Sequence, residues 1–169
     1  MATANRKEQI IESDGGYKKM KVFVTGVKGQ LGHDVVNELR KRNHEAIGVD
    51  MDITDKTSVD RVIKEANPDS VIHCAAWTAV DAAEDEDKKE KVRLVNAVGT
   101  QYIADVCKEL NIKMMYISTD YVFDGQGETP WEPDCKDYKP LNVYGQTKLE
   151  GELAVSNTLS DYFIIRIAW

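Results

Sequence analysis

Tyr144 and Lys148 stand four positions apart in "NVYGQTKLEGE", residues 142–152. On a helix that spacing puts a phenol and an ammonium on one face, one turn apart. A phenol has an ordinary pKa of about 10, and a neighbouring cation that stabilises the phenolate lowers it. Such a tyrosine can hand a proton to a carbonyl oxygen beside a hydride donor. A hydroxyl bonded to the same oxygen would complete the geometry, and "MYISTDYVF" delivers Ser118 and Thr119 at the end of a strand-like run. Surface helices carry Tyr–Lys pairs by accident and hydroxyls are ordinary turn residues, so the reading depends on what else lies in the neighbourhood.

Far upstream, "KVFVTGVKGQLGHDVV" places Gly26, Gly29 and Gly32 where a first strand would become a first helix. Gly26 lets the chain turn sharply, Gly29 lets a diphosphate approach the backbone, and Gly32 lets helix and strand pack closely. Gln30 and Leu31 open the helix between them and belong to the same turn, whose free N–H groups and dipole favour an anion. Three glycines alone are a weak signal. Their position, after a strand and before a helix at the head of an alternating chain, makes this one strong.

Asp50, in "GVDMDITD" at the end of the second strand-like run, stands where a carboxylate would bond a ribose 2′-hydroxyl. It would repel a 2′-phosphate, and no Lys or Arg lies between Glu45 and Asp55. The expected cofactor is therefore NADH or NADPH, with the lean to NADH. Asp50 as a plain strand cap, or a cation reaching over from Arg40, Lys41 or Arg42, remain the alternatives.

The elements that must position these groups follow from the apolar pattern. β-Branched runs occur at Val22–Thr25, Ala46–Val49, Val71–Ala75, Ile112–Ser118 and Tyr162–Ala168, with a short one at Met51–Ile53. Helical spacing joins Leu31, Val35, Val36 and Leu39, then Val59, Val62, Ile63 and Ala66, then Val92 through Leu110. Strands that read as nearly continuous apolar runs are buried on both faces, which predicts an α/β fold: a Rossmann-like, doubly wound parallel sheet with helices on both faces. The stretch 124–141, with Gly125, Gly127, Pro130, Pro133 and Pro140, reads as a long functional loop.

The 169 residues suit one compact domain, expected over residues 20–169, with residues 1–19 an extension that is disordered or non-native. A net charge of -7 provides no field for a phosphate backbone, so nucleic acid is not an expected partner. Cys74, Cys107 and Cys135 show no paired metal-ligand spacing, and no metal is expected; Cys74 and Cys107 read as small core residues. No run is long and apolar enough for a membrane span or a signal peptide, so no membrane partner is expected and the cytoplasm is the expected compartment. A homodimer is left open.

Taken together, "TGVKGQLG", "DITD", "CAAWTAVDAAE", "NAVGT", "STDYVFDG" and "PLNVYGQTKLEGE" resemble the extended short-chain dehydrogenase/reductases that act on nucleotide sugars, from about Met20 to Trp169. The resemblance implies that Thr119, Tyr144 and Lys148 form the catalytic set, with Tyr144 and Lys148 also on the cofactor, and that Gly26, Gly29 and Gly32 surround the diphosphate. It further implies that Asp52 and Ile53 lie near the adenine, that Ala75, Ala76 and Thr78 line the cofactor cleft, and that Asn96 orders the strand and water beneath the site. Val80, Tyr121 and Trp169 would face the sugar. The implied reaction is NAD(P)H-dependent reduction of the C4 ketone of dTDP-4-dehydro-L-rhamnose to dTDP-L-rhamnose. Sugar dehydratases of the same family carry Thr-Asp-Glu where Tyr121 follows Thr119-Asp120 here, and the missing carboxylate argues against elimination. The alternative is a non-catalytic nicotinamide-binding subunit, similar to the beta regulatory subunit of methionine adenosyltransferase, or another nucleotide-sugar epimerase or dehydratase. The resemblance also implies a smaller sugar-holding C-terminal part that this sequence lacks.

Overall fold

Five parallel strands form one sheet in the computed structural model, which describes residues 18–168. They are β1 (Lys21–Thr25), β2 (Glu45–Gly48), β3 (Ser70–His73), β4 (Lys113–Thr119) and β5 (Tyr162–Ile167), in the order β2-β1-β3-β4-β5. The helices α1 (Gln30–Lys41), α2 (Lys56–Ala66), α3 (Lys89–Arg93), α4 (Thr100–Leu110) and α5 (Val143–Thr158) connect them. The α/β reading holds. The expected extension over residues 1–19 falls almost wholly outside the described residues, as does Trp169.

The order reverses at β1: the chain leaves it for β2 on one side and returns to β3 on the other. A crevice opens at the carboxyl ends of strands at such a reversal. Thr25, at the end of β1, closes the seam beneath it, because its buried Oγ1 accepts from the N–H groups of Cys74 and Ala75 at 3.1 and 3.2 Å. The two loops that leave β1 and β3 are thereby fixed to each other.

Helices α2, α4 and α5 pack in succession on one side of the sheet, and α1 covers β1 and β2 on the other. The larger core lies under the first group and includes Phe23, Ile63, Val71, Ile103, Met114 and Tyr116, all fully buried. A smaller core joins Val22, Val24 and Val36 under α1. Alternation along β5 turns Ile164 and Arg166 toward α5 and leaves Phe163 and Ile165 exposed on the α1 side. Among the described residues no helix is long and apolar enough to cross a membrane.

Two elements differ from the expectations. The run Met51–Ile53 is no strand, because the Asp52 carboxylate accepts from the N–H and hydroxyl of Thr54 at 2.9 and 2.6 Å and turns the chain. Asp55 then caps α2 through Thr57 and Ser58. The pattern from Val92 to Leu110 is interrupted: α3 passes into a π-turn, Leu94–Gly99, before α4 begins. An inserted wider turn re-aims side chains at that point, and Asn96 is the polar residue among the three it buries, with Ala97 and Gly99.

Candidate functional site

A cleft of about 710 Å³ runs along the carboxyl ends of the strands. Gly26, Gly29, Gln30, Leu31 and Gly32 form one end, Asp50, Asp52 and Ile53 flank it, Ala75, Ala76, Thr78 and Val80 form the floor, and Thr119, Tyr121, Tyr144 and Lys148 close the other end. These expected site residues thus share one wall system. Asn96 does not line the cleft, and Trp169 lies outside the described residues.

The glycine end is shaped for a close ligand. Gly26 holds φ at +70°, and a Cβ there would meet the Ala75 nitrogen at 2.7 Å, so the turn demands glycine on conformation and on space. The N-cap of α1 is Gly29, with no side chain bonded back onto the helix and no acidic residue in the first turn. The first-turn N–H groups are left for an anion in the cleft, which fits a dinucleotide diphosphate.

Asp50 corrects one expectation. Lys28, within the glycine turn itself, sets its ammonium 2.5 Å from the Asp50 carboxylate, and both side chains are largely exposed. The absence of a cation between Glu45 and Asp55 therefore does not leave Asp50 uncompensated. Lys41 and Arg42 pair instead with Glu38 on their own helix.

At the opposite end, α5 begins at a double cap: the Asn142 side chain accepts from the Gly145 N–H at 2.7 Å, and Glu84 accepts from the Val143 N–H at 2.7 Å. Gly145 lets this first turn press against the short turn that follows β4, since a Cβ there would lie 2.2 Å from the Tyr121 carbonyl oxygen. Tyr144 is thereby brought to Thr119. The Thr119 hydroxyl donates to Asp120 at 3.1 Å and accepts from the Tyr121 N–H at 3.2 Å, and the Tyr121 ring meets the Tyr144 ring edge-on with centroids 5.8 Å apart.

Lys148 behaves otherwise than its spacing predicts. It is almost fully buried, its ammonium donates to the Ile117 carbonyl at 2.6 Å, and it sits 4.1 Å from the Tyr116 ring centroid. Burial pulls its pKa down to about 7, against an opposing pull from Glu152. The expected lowering of the Tyr144 pKa is not seen: burial raises it, and the Thr119 hydroxyl only partly counters this. A cation held to the strand carbonyl and weakened by its own desolvation is a poor stabiliser of a phenolate.

Asn96 works underneath. Its Oδ1 accepts from the Trp77 N–H at 2.8 Å, and its Nδ2 donates to the Trp77 carbonyl at 3.2 Å and to the Thr147 hydroxyl at 3.1 Å. It ties the cleft floor to α5. Fully buried His73, bonded to the Thr25 and Thr100 hydroxyls at 2.7 and 3.0 Å, extends the same polar layer, and burial pushes its pKa down to about 3. Ser118 is buried with an Oγ that has no partner among the described residues.

Sequence reasoning missed Lys28, Cys74, Ile117 and Asp120, which also line the cleft. Lys28 was visible between Gly26 and Gly29, but nothing local aims it at Asp50. Cys74 is half-buried, packed against the smaller core and also lining the cleft, whereas Cys107 lies within the larger core.

The family model described as RmlD substrate binding domain matches residues 20–169. The chain is 40% identical over 151 residues to a dTDP-4-keto-6-deoxy-D-glucose reductase of Streptomyces niveus, covering 87% of this chain and 51% of that one. It is 39% identical to a dTDP-4-dehydrorhamnose reductase of Mycolicibacterium smegmatis, covering 88% of this chain and 45% of the relative. Its backbone follows the crystal structure of dTDP-4-dehydrorhamnose reductase from Bacillus anthracis in complex with NADP at a TM-score of 0.81 and 36% identity, over 89% of this chain and 54% of that one. The chain spans about half the length of the curated relatives it matches.

Proposed function

The chain belongs to the RmlD substrate binding domain family, and from that premise we propose that residues 20–169 are the dinucleotide-holding part of a reductase acting on the C4 ketone of a dTDP-linked 4-keto-6-deoxyhexose, with dTDP-4-dehydro-L-rhamnose as substrate and dTDP-L-rhamnose as product. The observation that carries the proposal is the meeting of Thr119, Tyr144 and Lys148 at one end of a cleft whose other end is a glycine-capped helix start.

A reduced nicotinamide supplies the hydride. The first turn of α1 would take the diphosphate, and Asp50 would take the ribose hydroxyls. Thr119, turning its hydroxyl from Asp120 to the substrate, bonds the carbonyl oxygen. Tyr144 then gives its proton to that oxygen as negative charge develops, so that ketone, hydride and proton balance to an alcohol. A phenol held above its ordinary value stays protonated at neutral pH, the state a proton donor needs. Lys148 would hold the nicotinamide ribose, and Val80 and Tyr121 would face the sugar.

The Lys28–Asp50 pair supports acceptance of both cofactor forms. Without a 2′-phosphate the ammonium neutralises Asp50. With one, Lys28 swings from the carboxylate to the phosphate. NADPH is then the tighter ligand at low salt, and the similar reductase from Bacillus anthracis holds NADP.

The experiment is a pair of measurements on the Tyr144→Phe variant. Ketone reduction falls by about 10²-fold or more, while the NADPH dissociation constant stays within about twofold. Full turnover by the variant would remove Tyr144 from the role, and failure of the parent chain to bind either reduced nicotinamide would remove the cofactor.

A further inference from the structure

Glu152 is a carboxylate 2% exposed, on α5 one turn past Lys148. Arg166 of β5 grips it with both arms, Nε donating to Oε1 at 2.9 Å and Nη2 to Oε2 at 2.8 Å. The same guanidinium reaches into the loop 124–141. Nη2 donates to the Tyr138 hydroxyl at 3.0 Å, Nη1 approaches the Pro133 carbonyl at 3.5 Å, and the guanidinium carbon lies 5.1 and 5.3 Å from the Phe123 and Tyr138 ring centroids. Phe123 in turn stacks on Trp131 with centroids 4.5 Å apart. The loop packs Cys135 and Tyr138 against Val122, Phe123 and Leu149, and its polar contacts centre on one cation whose charge is shared with a buried carboxylate.

A buried ion pair is weak ground for stability, because apolar residues of similar volume often do as well. Its neighbour is the more informative fact. Around Lys148 stand Tyr144 and Glu152, one turn to either side on its own helix, His73 at the end of β3 with Cys74 just after it, and the Tyr116 ring from β4. Burial keeps the thiol, the imidazole and both phenols neutral near pH 7: Cys74 is pushed up to about 11, His73 down to about 3, and the two tyrosines upward. Glu152 is the one among them that a guanidinium grips, in its pair with Arg166.

We propose that Glu152 and Arg166 are positioning residues that couple the seating of the 124–141 loop to the proton affinity of Lys148. With the loop seated, Arg166 takes most of the carboxylate's field and Lys148 holds its proton weakly. With the loop lifted, Arg166 hydrates and loosens its grip, and Glu152 strengthens the ammonium. The consequence for cofactor binding rests on the proposed reading of Lys148 as the ribose-holding cation.

The test is nitrogen-15 NMR titration of the Lys148 ammonium in the intact chain without cofactor. Glu152→Gln lowers the midpoint by roughly one pH unit, a tenfold loss of proton affinity, and Arg166→Gln raises it. A packing role alone would admit water in both variants and raise both midpoints, because hydration restores the charged form. An unmoved or raised midpoint in Glu152→Gln overturns the proposal. Should either variant fail to fold, Arg166→Lys keeps the charge but loses the two-armed grip. It raises the midpoint by a smaller step, and an unchanged midpoint there overturns the coupling. A second readout, the pH dependence of NADPH affinity, shifts with the Lys148 midpoint. Shifted midpoints in a chain that binds no nucleotide support the coupling and refute the cofactor reading instead.

Discussion

Gly145→Ala separates the role of a close approach from that of an ordinary helical glycine. In an unconstrained helix this change stabilises by roughly 0.5–1 kcal/mol, because alanine loses less backbone freedom on folding. Here the new Cβ would lie 2.2 Å from the Tyr121 oxygen and 3.0 Å from its carbonyl carbon, both backbone atoms of the short turn that follows β4. The first turn of α5 or the Tyr121 peptide must then move by on the order of 1 Å to reach van der Waals distance. Overpacking of this kind costs about 1–3 kcal/mol. A backbone clash this close takes the upper part of that range, about 2–3 kcal/mol, so the balance is a net loss of about 1–2.5 kcal/mol, or a fall in Tm of roughly 2–10 °C for a chain of this size. Differential scanning calorimetry reads it directly. The same displacement carries Tyr144 away from Thr119, and a misplacement of about 1 Å at reacting groups costs on the order of 10²-fold in rate. A variant with a Tm equal to or above the parent's would refute the close-approach reasoning.

Lys28→Ala should weaken NADPH binding about fivefold while leaving NADH affinity unchanged or slightly weaker, as expected of an exposed contact worth about 1 kcal/mol; fluorescence titration at two salt concentrations checks it, and the difference should shrink at the higher salt. His73, with its pKa held at about 3 against an ordinary 6.5, makes the unfolded chain the greater proton binder between those values. Stability on this account is fully present above pH 6.5 and falls as pH drops toward 3; urea midpoints across that window should decline in the parent and flatten in His73→Gln. Asn96→Ala should cost about 1–3 kcal/mol by leaving the Trp77 N–H and Thr147 hydroxyl without their partner, read as a fall in the urea midpoint at constant slope.

Period and punctuation are local properties, and they made much of this molecule legible in its residues. The apolar runs around Phe23, Val71 and Met114 required a sheet buried on both sides, and the three glycines after β1 required a sharp turn into a helix. Tyr144 and Lys148 had to share a helical face, and Thr119 had to end a strand. What escaped were relations between distant segments. Lys28 meets Asp50 only because parallel pairing of β1 with β2 brings their ends together. The π-turn that buries Asn96 interrupts a continuous helical pattern, and no residue in "LVNAVG" announces it. Lys148 has the right spacing for Tyr144, yet its ammonium turns to the Ile117 carbonyl because burial removes the water it would otherwise need. Charge and proton affinity in an interior depend on which side chains packing brings within a few ångströms and how much water it expels, and neither quantity is written in the order of residues along the chain.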